Sequence, residues 1–463
     1  MRFVLATIKS RLGDFWWYSL MMFCACRVAD AMNVFVGLWL VPKYVEPAEL
    51  GAVMPLTQFA SFLALPAAIL ATTFMKEVNT LATRGEYGKM KTLMRGVFIG
   101  VGIALVLAVL VSKLVLPLFL ERIRIANGSL GFVIIVSAFI GCASPVYVNA
   151  LQALKRFKAI SLMNVVGAPL RLMTMLVAMP FRPLTGYFVG QAATPAFNMV
   201  ASVFLLRREL AIKAAPYWNR RAVAKVAAFM FGLLVYQGMG AVAGLVEQTI
   251  LRQRLPELDS AAYYMVTRFS EITCFLSGTL LTIMFPYTAE LAAQGKDTRP
   301  LVVKSSVAML LFSSVLALGF WLFGKPLLKM LPNGELYAQY FWAIPWMIGI
   351  ATLQSFQGFH TNTEISAGRF GFLKWWVPVH AAYAVLLLAV TGHGYFRGII
   401  PAAWTRFLTA HNIDSLSAIL WCFTAIAVIR LAFCGVAYFR QGDAPIWGRN
   451  GQRPSAYNHT PHP

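Results

Sequence analysis

Twelve apolar runs, each close to the roughly 20 residues needed to cross a bilayer, decide what this chain can fold into. They fall near 15–41, 50–75, 96–119, 130–151, 157–180 and 183–206, and again near 226–250, 260–285, 302–324, 338–359, 371–392 and 416–439. The links between them are short. Of 463 residues, 59% are apolar or aromatic and only 13% are charged, against about 25% in soluble domains, too few to cover a water-facing surface of this size. The fold class predicted is all-α: a polytopic membrane protein of about twelve transmembrane helices.

The charges that remain are lopsided, with 40 Lys and Arg against 18 Asp and Glu and a net of +22. Nucleic-acid binders gather such charge on one solvated face, whereas here it sits in clusters between apolar runs, so no nucleic-acid partner is expected. Placing the N-terminus in the cytoplasm assigns 25 basic residues to inner segments and 11 to outer ones. That bias predicts both termini inside, in a bacterial inner membrane. Trp16, Trp17, Trp342, Trp375 and Trp376 lie near the expected interfaces. Arg2, Lys9 and Arg11 precede the first apolar run as in a signal peptide, but Arg27 and Asp30 interrupt it and apolar sequence continues to Val41. The first run is therefore read as an uncleaved span. The six cysteines lie within apolar stretches without zinc-site spacing, as small packing residues.

Shifting the sequence by 210 residues aligns 46–100 with 256–310 without a gap, with nine identities including Thr57/Thr267, Phe59/Phe269 and Gly85/Gly295. The shared plan is a tight polar loop, a span, a charged link with one glycine, and another span. The expected organisation is a six-helix half over 1–206, a basic cytoplasmic linker over 207–225, a second six-helix half over 226–440, and a disordered tail over 441–463. An even number of spans per half gives parallel repeats, whose interface is where a substrate path runs.

An ionisable group at bilayer depth costs at least about 2.5–3.5 kcal/mol, so each one needs a reason. Arg27 lies about 18 Å from the start of the first span at about 1.5 Å per residue, with Asp30 one turn further on. Arg268 and Glu271 repeat that spacing in the eighth span, and Arg171 follows Pro169 in the fifth. Two readings stand: ion pairs that lock helices together, or a hydrated cavity with one positive charge in excess. A guanidinium suits the second because it stays charged and grips phosphate oxygens with two donors. Arg430, near the cytoplasmic end of the last span, is read as a snorkelling structural residue. Glu247 and Gln248 are read as interface residues at the outer end of the seventh span. Gln357 and His360, with Gln354 and Glu364, either face the cavity and bind sugar hydroxyls or mark where the tenth span reaches the cytoplasm. Gly240-x-x-x-Gly244 allows close helix packing, and Pro55, Pro66, Pro145, Pro195, Pro345 and Pro378 suit kinked helices.

Three segments carry a family resemblance. Tyr44-Val-Glu-Pro-Ala-Glu-Leu-Gly51 resembles the loop after the first span of polysaccharide flippases of the multidrug/oligosaccharidyl-lipid/polysaccharide exporter superfamily. Tyr263-Tyr-Met-Val-Thr-Arg268-Phe-Ser-Glu271, followed by Phe285-Pro286 and Glu290-Leu291, resembles their eighth span. Ala150-Leu-Gln-Ala-Leu-Lys-Arg-Phe-Lys158 is similar to their basic link before the fifth. The superfamily includes the flippase of lipid-linked peptidoglycan precursor, whose first- and eighth-span arginines face its cavity. The resemblance thereby implies a binding role for Arg27 and Arg268, with acidic partners Asp30 and Glu271. This chain departs from that branch in lacking two C-terminal spans and in having only neutral residues such as Gln58 in its second span, where that branch has a cavity arginine. Twelve spans fit the O-antigen, capsule and exopolysaccharide flippases instead.

The function expected is alternating-access flipping of polyprenyl-diphosphate-linked oligosaccharide, with Arg27, Arg171 and Arg268 on the diphosphate. No cofactor is expected, and the drive is the membrane potential or a coupled H⁺ or Na⁺ gradient. Partners are membrane lipids and a polysaccharide polymerase or glycosyltransferases. One alternative is an ion-coupled multidrug exporter of the same superfamily, although organic cations favour a net acidic cavity. Another is a membrane polymerase or ligase, for which the outer segment 393–415 offers few catalytic groups. The chain carries no Walker-type glycine loop. It is read as a transporter and not an enzyme.

Overall fold

The computed structural model describes residues 24, 26–125, 128–154, 156–217, 220–293, 297–366, 369–390, 406 and 415–440. Arg2, Lys9, Arg11, Trp16, Trp17, most of 393–415 and the tail after Gln441 lie outside them, as do the side chains of Phe285, Pro286 and Glu290.

The described chain is all-helical, and its long helices follow the predicted spans. We number them α1 (26–44), α2 (Val53–Thr83), α3 (Tyr87–Arg122), α4 (Gly128–Ala153), α5 (Phe157–Ala178), α6 (Pro183–Leu205) and α7 (Arg220–Arg254). Then come α8 (Glu257–Ser270 and Ile272–Ala293, meeting at Glu271), α9 (Arg299–Lys329), α10 (Ala343–Ser366), α11 (Leu373–Val390) and α12 (Ser415–Arg440). Among the described residues, eight helices are long and apolar enough to cross a membrane, with mean hydropathy from 1.3 to 2.7 over their best windows. The protein is a polytopic membrane protein.

Burial is arranged for lipid. α3 and α9 turn large apolar side chains outward, Leu114 at 77% and Val315 at 72% exposure, a pattern that would be an aggregation surface in water. The interior is packed between helices, and Tyr264, Phe59 and Phe74 are among its fully buried side chains. Trp376, expected at an interface, is instead a core residue: its indole N–H donates to Tyr236 O at 3.2 Å. Pro66, Pro145, Pro195 and Pro378 sit inside helices as predicted. Pro55 and Pro345 differ, falling in the first turns of α2 and α10, where a missing N–H costs no helix bond. Of the glycine pair in α7, Gly244 lies against the Gln58 amide of α2, while nothing is packed on Gly240.

The predicted linker is tied down along its first part. Arg156 pairs with Glu209 and donates to Leu205 O at 2.6 Å. Further along, Lys91 donates to Ile212 O at 3.0 Å, Thr92 to Ala215 O at 2.7 Å, and Tyr217 to Glu77 at 3.0 Å. Burial, together with the Glu77 carboxylate, pushes the Tyr217 phenol up to about 12, so it remains a hydrogen-bond donor at neutral pH.

On the opposite side, the link from α1 to α2 forms a short helix, Pro47–Leu50, started by Pro47 after an extended Glu46. Its following residue, Gly51, packs directly on Ser260 of α8, so that any side chain there would push the two segments apart. That contact, with α2 against α7, brings the first six helices onto the second six beside the charged residues.

Candidate substrate site

α1 carries Arg27 and Asp30 three residues apart, and their side chains meet at 3.0 Å. Both are partly exposed. The Arg27 guanidinium also lies over the Phe275 ring of α8, 5.4 Å from its centroid. Phe275 is one turn beyond Glu271, so the first and eighth spans bring their charged pairs to a common region.

α8 supplies the more enclosed pair. Arg268 meets Glu271 at 2.7 Å, and Glu271 stands at the break between the two helices of α8. The Arg268 guanidinium covers the Tyr264 ring at 4.9 Å and places Nη2 2.9 Å from the Met54 sulfur of α2. Its Cδ would lie 3.0 Å from a Cβ at Gly37. A side chain there would crowd the arginine stem where it passes α1, and one side chain from α8 thus spans both α1 and α2. Gln58 of α2, which the offset of 210 residues pairs with Arg268, lies against Gly244 of α7, its Oε1 3.3 Å from a Cβ built there.

Arg171 of α5 has no carboxylate partner among the described residues. Nη1 makes a long hydrogen bond of 3.4 Å to Gln191 of α6, and Nε is buried without a hydrogen-bond partner. Tyr187, one turn before Gln191, lies within electrostatic reach of both Arg171 and Arg268. The helix runs through Pro169 without interruption, so no break separates Arg171 from it. Two guanidiniums are thus internally paired and a third is not.

Gln357 and His360 are buried on α10, at 8% and 9% exposure. The His360 ring bonds Phe356 O at 2.7 Å, and Gln357 Oε1 is buried without a hydrogen-bond partner. Asn362, two residues beyond His360, donates to Leu281 O of α8 at 3.3 Å, and Thr361 bonds Tyr236 of α7 at 3.2 Å. Thr361 and Asn362 thus face α7 and the second helix of α8.

A further polar cluster corrects two expectations. Glu247 accepts hydrogen bonds from Tyr383 of α11 and from Gln248, and Gln248 also donates to Tyr263 at 3.2 Å. These are packed residues, because α11 and α12 cover the face that the sequence leaves unassigned. The Arg430 guanidinium lies 4.6 Å from the Tyr383 ring centroid, packed on α11 rather than extended to the interface. Tyr383→Phe should leave the Glu247 carboxylate short of a donor and cost about 1–3 kcal/mol. A lowered unfolding temperature in detergent would show it, and an unchanged one would contradict the cluster's role. Tyr187, Gln191 and Met54 were not singled out by the sequence, since cross-helix neighbours leave no spacing signal; Tyr264 could have been, because it stands one turn before Arg268 on the same helix.

No family model and no curated protein matches the sequence. Among solved structures, an inward-facing multidrug-resistance transporter of the MATE family, MOP superfamily, superposes with a TM-score of 0.62. The match has 12% identity and covers 91% of this chain and 96% of that one. The fold is MATE-like. A mutant of the Vibrio cholerae MATE transporter VcmN gives a TM-score of 0.59 at 14% identity, covering 94% and 97%. The MATE multidrug transporter DinF-BH gives 0.56 at 13%, covering 91% and 94%. The likeness of fold extends over nearly the whole length of the chain.

Proposed function

We propose that the chain is an alternating-access exporter of an anionic amphiphile, a polyprenyl-diphosphate-linked oligosaccharide moved from the cytoplasmic to the outer leaflet for surface polysaccharide synthesis. The membrane is the bacterial inner membrane, with both termini inside. The observation that carries this reading is the charge left over at the site: Arg27 and Arg268 each have a carboxylate partner, and Arg171 has none among the described residues. An uncompensated guanidinium at bilayer depth asks for an anion. The lipid tail stays in the bilayer while Arg171, Arg27 and Arg268 hold the diphosphate and polar side chains such as Gln357 and His360 solvate sugar. Two negative charges leaving a negative-inside cell at about 100 mV release about 4.6 kcal/mol, from about 2.3 per charge. Coupled H⁺ or Na⁺ would alter that sum. A polymerase or glycosyltransferases would act beside the exporter on the same lipid-linked sugar.

The second reading is a multidrug exporter. Its support is the fold comparison, whose named neighbours are MATE transporters, two of the three described as multidrug; taken alone, those neighbours back it over the sugar-lipid reading. The unpaired Arg171 weighs the other way for cationic drugs. Deleting the gene separates the two: accumulation of lipid-linked oligosaccharide supports the first, and unchanged lipid-linked sugar with raised retention of a cationic dye supports the second.

A further inference from the structure

We infer that three side chains from α7, α8 and the link after α9 form a strap that closes one mouth of the transport path by capping backbone carbonyls of the 37–48 segment. The inference rests on the transporter reading but not on the cargo.

Each capped carbonyl is one that its own helix leaves open. Within α1, Val36–Leu40 is a π turn, in which the Val41 N–H bonds Val36 O. The next bond of that pattern would need an N–H from residue 42, which is proline, so Gly37 O has no such donor. The Tyr264 hydroxyl supplies one at 3.2 Å. Pro42 O lies at the end of α1, where the Val45 N–H turns back to Val41 O; Asn333 donates to it at 3.0 Å. Ala48 O lies in the four-residue helix Pro47–Leu50, while the Ala52 N–H bonds Glu49 O. Arg252 Nη2 reaches Ala48 O at 2.5 Å, and its Nε lies 3.4 Å from Ile123 O at the end of α3.

The donors are well placed to hold. Arg252 is 3% exposed and Tyr264 is fully buried. Asn333 adopts the left-handed conformation, φ 58°, which asparagine tolerates better than most residues. Between them Gly51 sits on Ser260 so closely that a Cβ at Gly51 would lie 2.1 Å from its Oγ. Arg268 forms the innermost rung, against Gly37 and Met54. Opening this mouth exposes all three carbonyls together, and water can replace the lost donors. The strap is therefore a latch that water can release, unlike a dry apolar seal.

The test uses the full chain in membrane vesicles, with the six cysteines, all free thiols, replaced by serine or alanine. Met54→Cys places one thiol beneath the strap, and a charged, membrane-impermeant thiosulfonate is added from the side predicted to be outer. Otherwise unaltered, this chain should label slowly. Adding Tyr264→Phe, Arg252→Gln and Asn333→Ala should raise the rate at least about tenfold, as three net hydrogen bonds of ordinary strength would do. A disulfide control guards against misfolding. In the same triple variant, oxidising a Gly51→Cys/Ser260→Cys pair before labelling should restore protection, which it cannot do in a collapsed protein. The pair's Cβ atoms, 2.8 Å apart on the present backbone, need only a small separation to reach the roughly 3.5–4.5 Å of a disulfide. Equal labelling with and without the three substitutions, or no protection by the disulfide, overturns the strap.

Discussion

Arg268→Ala should abolish most transport of a polyprenyl-diphosphate-linked sugar while leaving an inserted, monodisperse protein. The side chain contacts α1, α2 and its own Glu271 partner, at 2.7 Å to the carboxylate and 2.9 Å to the Met54 sulfur. Loss of one charge-assisted contact to the cargo is worth about 1.5–3 kcal/mol, roughly a 10- to 100-fold fall in transport at limiting cargo. Removing the arginine also strands Glu271, adding a negative charge where an anion is to bind, so the loss should lie at the upper end. Arg268→Lys should recover part of it, since the charge returns but the two-donor fork does not. The measurement is flipping in proteoliposomes, with insertion and thermal unfolding followed in parallel. Full activity of the alanine variant would remove Arg268 from the site.

Arg171→Glu should change which cargo is accepted. With Arg27–Asp30 and Arg268–Glu271 paired, the unpaired Arg171 decides the sign of the site. Reversing it moves the group from one positive charge in excess to one negative. At about 4–8 Å and an effective dielectric near 20, a unit charge contributes on the order of 2–4 kcal/mol to the cargo. Sugar-lipid transport should fall by at least about tenfold, while uptake or export of an organic cation should rise above background. Arg171→Gln, neutral and able to hydrogen-bond Gln191, should fall between the two. An unchanged ratio of anionic to cationic cargo across all three would mean that Arg171 faces no substrate.

Most of the fold was legible because a bilayer imposes one rule on every span, about 20 apolar residues with an internally bonded backbone. Hence the predicted 183–206 and the helix Pro183–Leu205 nearly coincide, as do 157–180 and Phe157–Ala178. The intrahelical pairs were legible for the same kind of reason, because i, i+3 spacing alone puts Arg27 beside Asp30 and Arg268 beside Glu271. Rotation of a span about its axis was not. A helix apolar on nearly every side gives no moment to show which face meets protein, so Arg430 reads as a snorkelling residue although it packs on Tyr383. Glu247 was misread for the same reason. The π turn at Val36–Leu40 was also hidden, though Pro42 is the residue that makes its consequence felt at Gly37.

The most direct test is reconstitution of the purified chain in vesicles holding two reporters at once, a polyprenyl-diphosphate oligosaccharide with a labelled sugar and a fluorescent organic cation. The unpaired guanidinium of Arg171 predicts protein-dependent movement of the sugar-lipid across the bilayer, with the cation left at the rate of empty vesicles. Movement of the cation alone would contradict an anionic cargo and assign the chain to multidrug export.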